Sequence, residues 1–221
     1  MASNLGRQMS ALIRGQQTPA TPGQAKAEEI RALYKQGLRQ IRGQRNTHPE
    51  RKRVEIAELY ATTRAALRKV QADQIKTDRE TFAKLERKLF GYDLERATAT
   101  DRATLDATIR DATDRAAGLR KPEDAARALH QAEQNGDTIL ARAIAQRAHE
   151  RDWNDVLDAY LSTRPTAADT YRQAGEIYHR LNSPNGVLAT QQLAAFAKPD
   201  ELRGLGDKDI QSMTDPGDAA A

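Results

Sequence analysis

The residues that could do metal or acid–base chemistry include four histidines, and their spacing forms no recognised site. His130 and His149 fall on successive predicted helices and could approach each other across a helical hairpin. A metal site would need at least a third ligand at a defined spacing, and no HExxH or comparable set is present. We therefore expect exposed or half-exposed histidines on helices, no bound metal and no cofactor.

The carboxylates and hydroxyls give no catalytic pattern either. Pairs such as Asp106 and Asp111 alternate with arginines at helical spacing, as in Arg110 and Asp114, which is typical of a solvated helix surface. The few serines fall at termini, helix ends or turns, and none lies in a nucleophile elbow. Cysteine is absent, which excludes thiolate catalysis and disulfides. The sequence predicts a protein that is not an enzyme and has no catalytic residues.

The strongest candidate for a contact site is a cluster of basic residues around the predicted turn between the first two helices. Guanidinium groups gathered at a turn could bind phosphates nonspecifically, so nucleic acid is one candidate partner. Aromatic side chains for base stacking are missing there, and no helix-turn-helix, zinc-finger or RNA-recognition pattern appears. An acidic protein surface, including that of a second copy, is an equal candidate, and plain solvation is the third. The predicted patch comprises Arg39, Arg42, Arg45, Arg51, Lys52, Arg53, Arg64 and Arg68.

The charge of the chain is unevenly distributed along its length. Residues 1–60 carry 11 Lys/Arg against 5 Asp/Glu, whereas residues 121–221 carry 11 against 16. A basic front and an acidic back favour head-to-tail contacts between copies or contact with an anionic partner. A drift in the charge of solvated helix faces is the simpler alternative.

The composition favours an elongated helical protein. Of 221 residues, 38% are hydrophobic, 5% are aromatic and 30% are charged, which is a small supply of core residues. No segment alternates with period two for long, so we expect almost no sheet. There is no secretory signal and no apolar run of 18 residues. We expect an intracellular, soluble protein, cytoplasmic or in a virion, that contacts neither membrane nor small-molecule ligand.

One predicted helix of about 42 residues, within the stretch 47–90 and starting near Pro49, organises the chain. Thr47 followed by Glu50 is a capping-box pattern, Pro49 fits a first turn, and no proline or glycine interrupts the next 40 residues. Its length would be about 63 Å. The apolar positions from Ile56 to Leu89 recur with a mean period of about 3.67, an eleven-residue repeat that predicts a nearly straight helix. The middle, residues 71–81, offers only Ile75 to a core, so it could be solvent-spanning, kinked or frayed.

The remaining segments complete an all-α prediction. A first helix, residues 24–44, should fold back antiparallel on the long helix, and this hairpin of residues 24–92 buries too little to be stable without self-association. A bundle of short paired helices follows over residues 98–205, with Leu188, Leu193 and Phe196 directed inward. Residues 1–23 should form a flexible segment, including a linker at residues 18–23, and residues 206–221 a disordered acidic tail.

Two groups of large apolar residues are candidates for protein contacts. One lies at the end of the long helix and the other in the C-terminal half, where a small core or the edge of a partner-binding groove would use it. The candidate residues are Phe82, Leu85, Leu89, Phe90, Trp153 and Tyr160.

Two resemblances add to this interpretation. Residues 122–181, with Gly136-Asp137 between paired helices and Ala141 and Ala148 in the second, loosely resemble tetratricopeptide-like helical hairpins. In its Ala/Arg/Asp/Thr-rich, cysteine-free composition and long charged helix, the chain resembles small helical proteins from actinobacterial phage virion-assembly gene clusters. That resemblance implies a scaffold, capsid-associated or tail-associated role. The predicted function is a structural or assembly protein that acts through helix–helix contacts with protein partners or itself; the alternative is a nucleic-acid-associated protein using the basic turn.

Overall fold

The computed structural model describes residues 21–92 and 99–214, and within them every regular element is helical. This confirms the all-α prediction. No helix among these residues combines the length and apolar character needed to cross a membrane. In chain order the helices are α1 (Pro22–Gly43), α2 (Pro49–Phe90), α3 (Ala99–Gly118), α4 (Pro122–Gln134), α5 (Thr138–Glu150), α6 (Asn154–Ser162), α7 (Pro165–Asn182), α8 (Pro184–Gln192) and α9 (Asp207–Thr214), with a 3-10 turn at Asp200–Leu202 between α8 and α9.

The described residues divide into two compact units. The hairpin unit contains residues 21–78 and 180–214, and the bundle unit contains residues 79–92 and 99–179. Helices α2 and α7 each contribute to both units. The predicted division at residues 92–98 and at 205 therefore differs from the structure, because the C-terminal segment packs with the N-terminal hairpin and not with the short paired helices.

In the hairpin unit, α1 lies antiparallel to α2. Contacts pair Gly23 with Gln74, Gly37 with Leu59, and Gln44 with Glu55, so one residue number falls as the other rises. A methyl group on Gly37 would lie 2.9 Å from the Leu59 side chain, which shows how closely the two helices approach. The predicted antiparallel hairpin is present over residues 22–78.

The long helix starts at Pro49 as predicted, but the residues that bond to the backbone at the two helix starts differ from the sequence prediction. Thr21, assigned to a linker, forms a capping box with Gln24: Thr21 Oγ1 accepts from the Gln24 backbone N–H at 3.2 Å, and Gln24 Oε1 accepts from that of Thr21 at 2.7 Å. Helix α2 begins at Pro49 after His48, whose Nδ1 accepts from the Glu50 backbone N–H at 3.3 Å. The side chain that accepts a backbone hydrogen bond at the start of α2 is therefore that of His48 and not that of Thr47. The predicted flexible residues 1–20 lie outside the described residues.

Helix α2 is continuous and follows the eleven-residue repeat. Ile56, Leu67, Asp78 and Leu89 are buried and lie eleven residues apart. The segment 71–81 is helical without interruption, and Gln74 and Asp78 turn inward there although the sequence offered only Ile75 to a core. Polar side chains thus complete a buried stripe that the apolar pattern had left with a gap.

The C-terminal segment of the chain covers the hairpin stripe. Phe196 contacts the rings of Tyr34 and Tyr60, with centroids 5.1 and 4.9 Å apart, and Leu202 and Ile210 are buried in the same cluster. The premise for self-association, a half-filled hairpin stripe, is therefore removed. Residues 207–214, predicted to be disordered, form α9, because Ile210 gives this otherwise polar segment a buried anchor. Residues 215–221 lie outside the described part.

The bundle unit is built around α5. Six of its 13 residues are buried, mostly alanines that let neighbouring helices approach closely. The α4–α5 turn uses Gly136 at φ +70° and the Asp137 carboxylate, which accepts from the Leu140 backbone N–H at 2.9 Å. The predicted short helical hairpin at this place is present.

Candidate interaction surface

The predicted basic patch is partly used inside the hairpin unit. Arg42 donates to both carboxylate oxygens of Glu201 at 2.7 and 2.8 Å, and Arg53 donates to the Glu201 backbone carbonyl at 3.1 Å. Arg64 binds both carboxylate oxygens of Asp207. Three of the eight predicted contact residues therefore hold the C-terminal segment on the hairpin.

The Arg42–Glu201 pair shows how these contacts act. The hydrogen bond between the side chains raises the pKa of Arg42 and lowers the pKa of Glu201. Both side chains remain well exposed, at 47% and 32%, so water screens the attraction and the pair stabilises the fold by less than about 1 kcal/mol. Its main role is to fix the position of residues 200–203 against the hairpin.

The rest of the patch faces solvent. Arg39, Arg45 and Arg68 are exposed and Lys52 is half-buried, while Arg51 is exposed and lies 3.5 Å from Glu55, one turn away. In the hairpin unit as a whole, the described residues carry 17 Lys/Arg against 11 Asp/Glu. The corresponding numbers in the bundle unit are 15 and 16. The positive excess of the protein is thus concentrated in the hairpin unit.

The predicted apolar contact residues are covered inside the bundle unit. Phe82 lies 5.9 Å from the Tyr178 ring, and Phe90 stacks on His149 at 5.4 Å with 17° between the ring planes. Tyr160 is buried under the Arg164 guanidinium at 4.2 Å. Three further candidates are buried or half-buried: Leu85, Leu89 and Trp153. Apolar surface that is open to a partner therefore lies elsewhere among the described residues.

The large apolar side chains that face solvent lie in the hairpin unit. Among the described residues, the exposed fraction is 60% for Leu33 on α1, and 53% and 39% for Leu188 and Val187 on α8. Leu188 had been predicted to point inward. Ordinary proteins expose single leucines, but two adjacent aliphatic residues on a nine-residue helix give a small apolar ridge.

Helix α8 is held firmly at both ends. At its start, Ser183 Oγ accepts from the Gly186 backbone N–H at 3.0 Å. At its end, the Arg31 guanidinium donates to the carbonyls of Gln192, Leu193 and Ala195 at 2.5, 3.0 and 3.1 Å. These bonds satisfy carbonyls that a helix end leaves without partners. The apolar ridge therefore lies on a fixed support and not on a loose end.

The histidines do not come together. His130 is exposed, whereas His149 lies between the rings of Phe90 and Tyr171, and the Tyr171 hydroxyl is 3.4 Å from His149 Nδ1. Burial lowers the pKa of His149 despite the opposing charges of Glu86, Asp152 and Glu150. Within residues 21–92 and 99–214, no three His, Asp or Glu side chains are grouped so as to hold a metal ion.

Sequence reasoning missed the acidic partners of the patch, Glu201 and Asp207, because Glu201 was assigned to the end of the short-helix bundle and Asp207 to a disordered tail. One signal was present: residues 180–214 carry equal numbers of Lys/Arg and Asp/Glu, with Leu193, Phe196, Leu202 and Ile210 spaced among them. Such a mixed apolar and charged segment is long enough to cover a basic hairpin.

Comparisons with known proteins were made for the whole chain. Neither family models, nor curated proteins, nor solved structures give a significant match. Evidence for a function therefore comes from the surface of the hairpin unit.

Proposed function

We propose that this protein is a non-enzymatic assembly or adaptor protein that binds another protein through the hairpin unit. The observation that carries the proposal is the nature of its exposed side chains: aliphatic residues on fixed helices, Leu33, Val187 and Leu188, within a unit of net positive charge. Aliphatic ridges pack into grooves between helices, and the surrounding cations favour an acidic partner. The resemblance to phage virion-assembly proteins suggests a scaffold, capsid-associated or tail-associated role as the specific form.

The distribution of aromatic side chains favours protein over nucleic acid as the partner. Single-stranded nucleic acids are usually held by stacking of bases on exposed aromatic rings. In the hairpin unit Tyr34 and Tyr60 are buried against Phe196, so these rings are not available for stacking. What remains for nucleic acid is phosphate contact by Arg39, Arg45 and their neighbours.

The first test asks whether a second copy is the partner. Light scattering gives the solution mass of the wild type, of Leu188→Gln and of the matched control Gln191→Ala, an exposed residue of the same helix. A dimer that L188Q, but not the control, converts to monomer would identify a second copy as the partner.

If the wild type is a monomer, a photo-crosslinker placed at 188 or at 191 tests for another protein in an extract of the source cells. We expect one defined adduct at 188 that weakens when Leu33 becomes Gln. A monomeric mass together with equal labelling from both positions would contradict the proposal.

The nucleic-acid alternative has its own test. A labelled single-stranded oligonucleotide is titrated over a salt series against the wild type and a variant with Gln at Arg39, Arg45, Arg51 and Lys52. Arg127→Gln, an exposed arginine of the bundle unit, is the control. If binding falls steeply with salt and the quadruple variant alone abolishes it, the alternative replaces the proposal.

A further inference from the structure

A cleft lies between α2 and α9 in the hairpin unit, where the Arg64–Asp207 pair joins the two helices. Its volume is about 500 Å³, within the range of pockets that hold small ligands. One wall comes from α2 and the other from α9. The lining side chains that matter here are Tyr60, Arg64, Arg68, Asp207, Ile210 and Gln211.

The polar part of this cleft already holds an anion, the Asp207 carboxylate. Arg64 Nη2 donates to Asp207 Oδ2 at 2.7 Å, and Nη1 of the same guanidinium contacts Oδ1. The pKa of Asp207 is lowered mainly by this hydrogen bond, with smaller contributions from the charges of Arg64, Lys198 and Arg68. Arg64 is thus the direct partner of this carboxylate, and the charges of Lys198 and Arg68 favour its ionised form.

The two partners of this ion pair are unequally exposed. The Arg64 side chain lines the cleft and is 27% exposed, whereas the Asp207 side chain is 63% exposed at the start of α9. Asp207 can therefore turn into solvent, where water hydrates its charge. The Arg64 guanidinium would then lack its carboxylate partner and could accept another anion in the cleft, beside the exposed Arg68.

We propose that this cleft binds a small phosphate-bearing anion, with Arg64 and Arg68 as its ligands and Asp207 as the internal carboxylate that it displaces. A guanidinium fork matches two phosphate oxygens as well as it matches a carboxylate, and two arginines fit a group that carries more than one negative charge. Tyr60 and Ile210 provide the apolar wall. The site is separate from the apolar ridge of α8 and goes beyond the protein-binding function proposed above.

The displacement step gives the proposal a distinctive consequence. Because Asp207 competes with the ligand for Arg64, the apparent affinity is reduced by the fraction of molecules in which the ion pair is closed. Removing the Asp207 charge should therefore strengthen binding, although it removes a stabilising contact from the free protein. A site in which Asp207 were itself a ligand would show the opposite change.

The experiment uses tripolyphosphate as the probe, with the full chain and isothermal titration calorimetry at fixed ionic strength. We expect saturable binding that weakens at least fivefold in Arg68→Gln and strengthens at least threefold in Asp207→Asn. Lys35→Gln, an exposed cation of the same unit outside both the cleft and the basic patch, should leave the affinity unchanged. Arg68 and Lys35 are both exposed, so these two variants keep the fold and give a clear comparison even if D207N loosens α9.

Three results would overturn the proposal. The first is no saturable binding, and the second is an equal loss in R68Q and K35Q, which would indicate general attraction to a basic surface. The third is weaker binding in D207N while its helix content, measured by circular dichroism, matches the wild type. A parallel titration with a nucleoside triphosphate distinguishes sources of the phosphate: tighter binding than tripolyphosphate assigns the apolar wall to the base.

Discussion

The buried carboxylate of Asp78 should be a major determinant of the stability of the hairpin unit. Its side chain is 6% exposed and accepts from Arg180 Nε at 3.1 Å, from Arg180 Nη2 at 2.9 Å and from Gln74 Nε2 at 3.0 Å. Gln74 in turn accepts from the Gly23 backbone N–H at 3.1 Å. This network connects the start of α1, the middle of α2 and the end of α7.

Asp78→Ala should lower the free energy of unfolding by about 3 kcal/mol. Breaking a buried ion pair typically costs 3–5 kcal/mol, but the Arg180 side chain is 26% exposed and can regain water, which reduces its share. The Gln74 amide is buried and loses an acceptor, which costs about 1–3 kcal/mol. Replacing both partners, as Asp78→Leu with Arg180→Leu, should recover the part of the loss that comes from the broken ion pair, because position 78 continues the apolar eleven-residue repeat, while the Gln74 amide still lacks its acceptor.

The assay is urea denaturation followed by circular dichroism, which reports the helices of both units. Trp153 lies in the bundle unit, so its fluorescence serves as a separate probe of that unit. Asp73→Ala, an exposed carboxylate on the same helix, is the matched control and should change stability by less than about 0.5 kcal/mol. A D78A variant that unfolds within 0.5 kcal/mol of the wild type would refute the argument that this network stabilises the fold.

Three further predictions concern single groups. Burial raises the pKa of Tyr34 to about 12, and its hydroxyl has no hydrogen-bond partner among the described residues. Tyr34→Phe should therefore retain or slightly raise the stability at pH 8, and it should remove the loss of stability that the wild type shows as pH rises from 10 toward 12. Urea midpoints at pH 8 and 11 check this, and a loss above about 1 kcal/mol at pH 8 would contradict it. Burial lowers the pKa of His149 below 6.5, so the stability associated with the neutral ring should be complete above pH 6.5 and fall as the solution is acidified. In a pH series, the thermal midpoint of His149→Gln should fall less steeply with acidification than that of the wild type. An unchanged slope would exclude this histidine as the cause. Glu201→Gln should lower the free energy of unfolding by less than about 1 kcal/mol, and this loss should shrink in high salt because water reaches both side chains of the Arg42–Glu201 pair. A loss of stability that does not depend on salt would assign the effect to packing instead.

Local features of the sequence were sufficient to predict most of the helices and the eleven-residue repeat of α2. The long uninterrupted segment gave α2, Gly136-Asp137 gave the α4–α5 turn, and the spacing from Ile56 to Leu89 gave the eleven-residue stripe. These predictions succeed because capping, helix propensity and apolar periodicity act between residues a few positions apart.

The tertiary structure alone decided what covers the hairpin and which charges are available to a partner. Arg42 meets Glu201 159 positions later, and Asp78 meets Arg180 102 positions later. No local pattern marks a polar residue such as Gln74 as buried, because its burial is favourable only when a distant segment supplies the matching donor or acceptor. The sequence by itself therefore determined an all-helical chain with a basic hairpin. Long-range pairing determined that the apolar stripe of the hairpin is covered and that Leu33, Val187 and Leu188 are exposed.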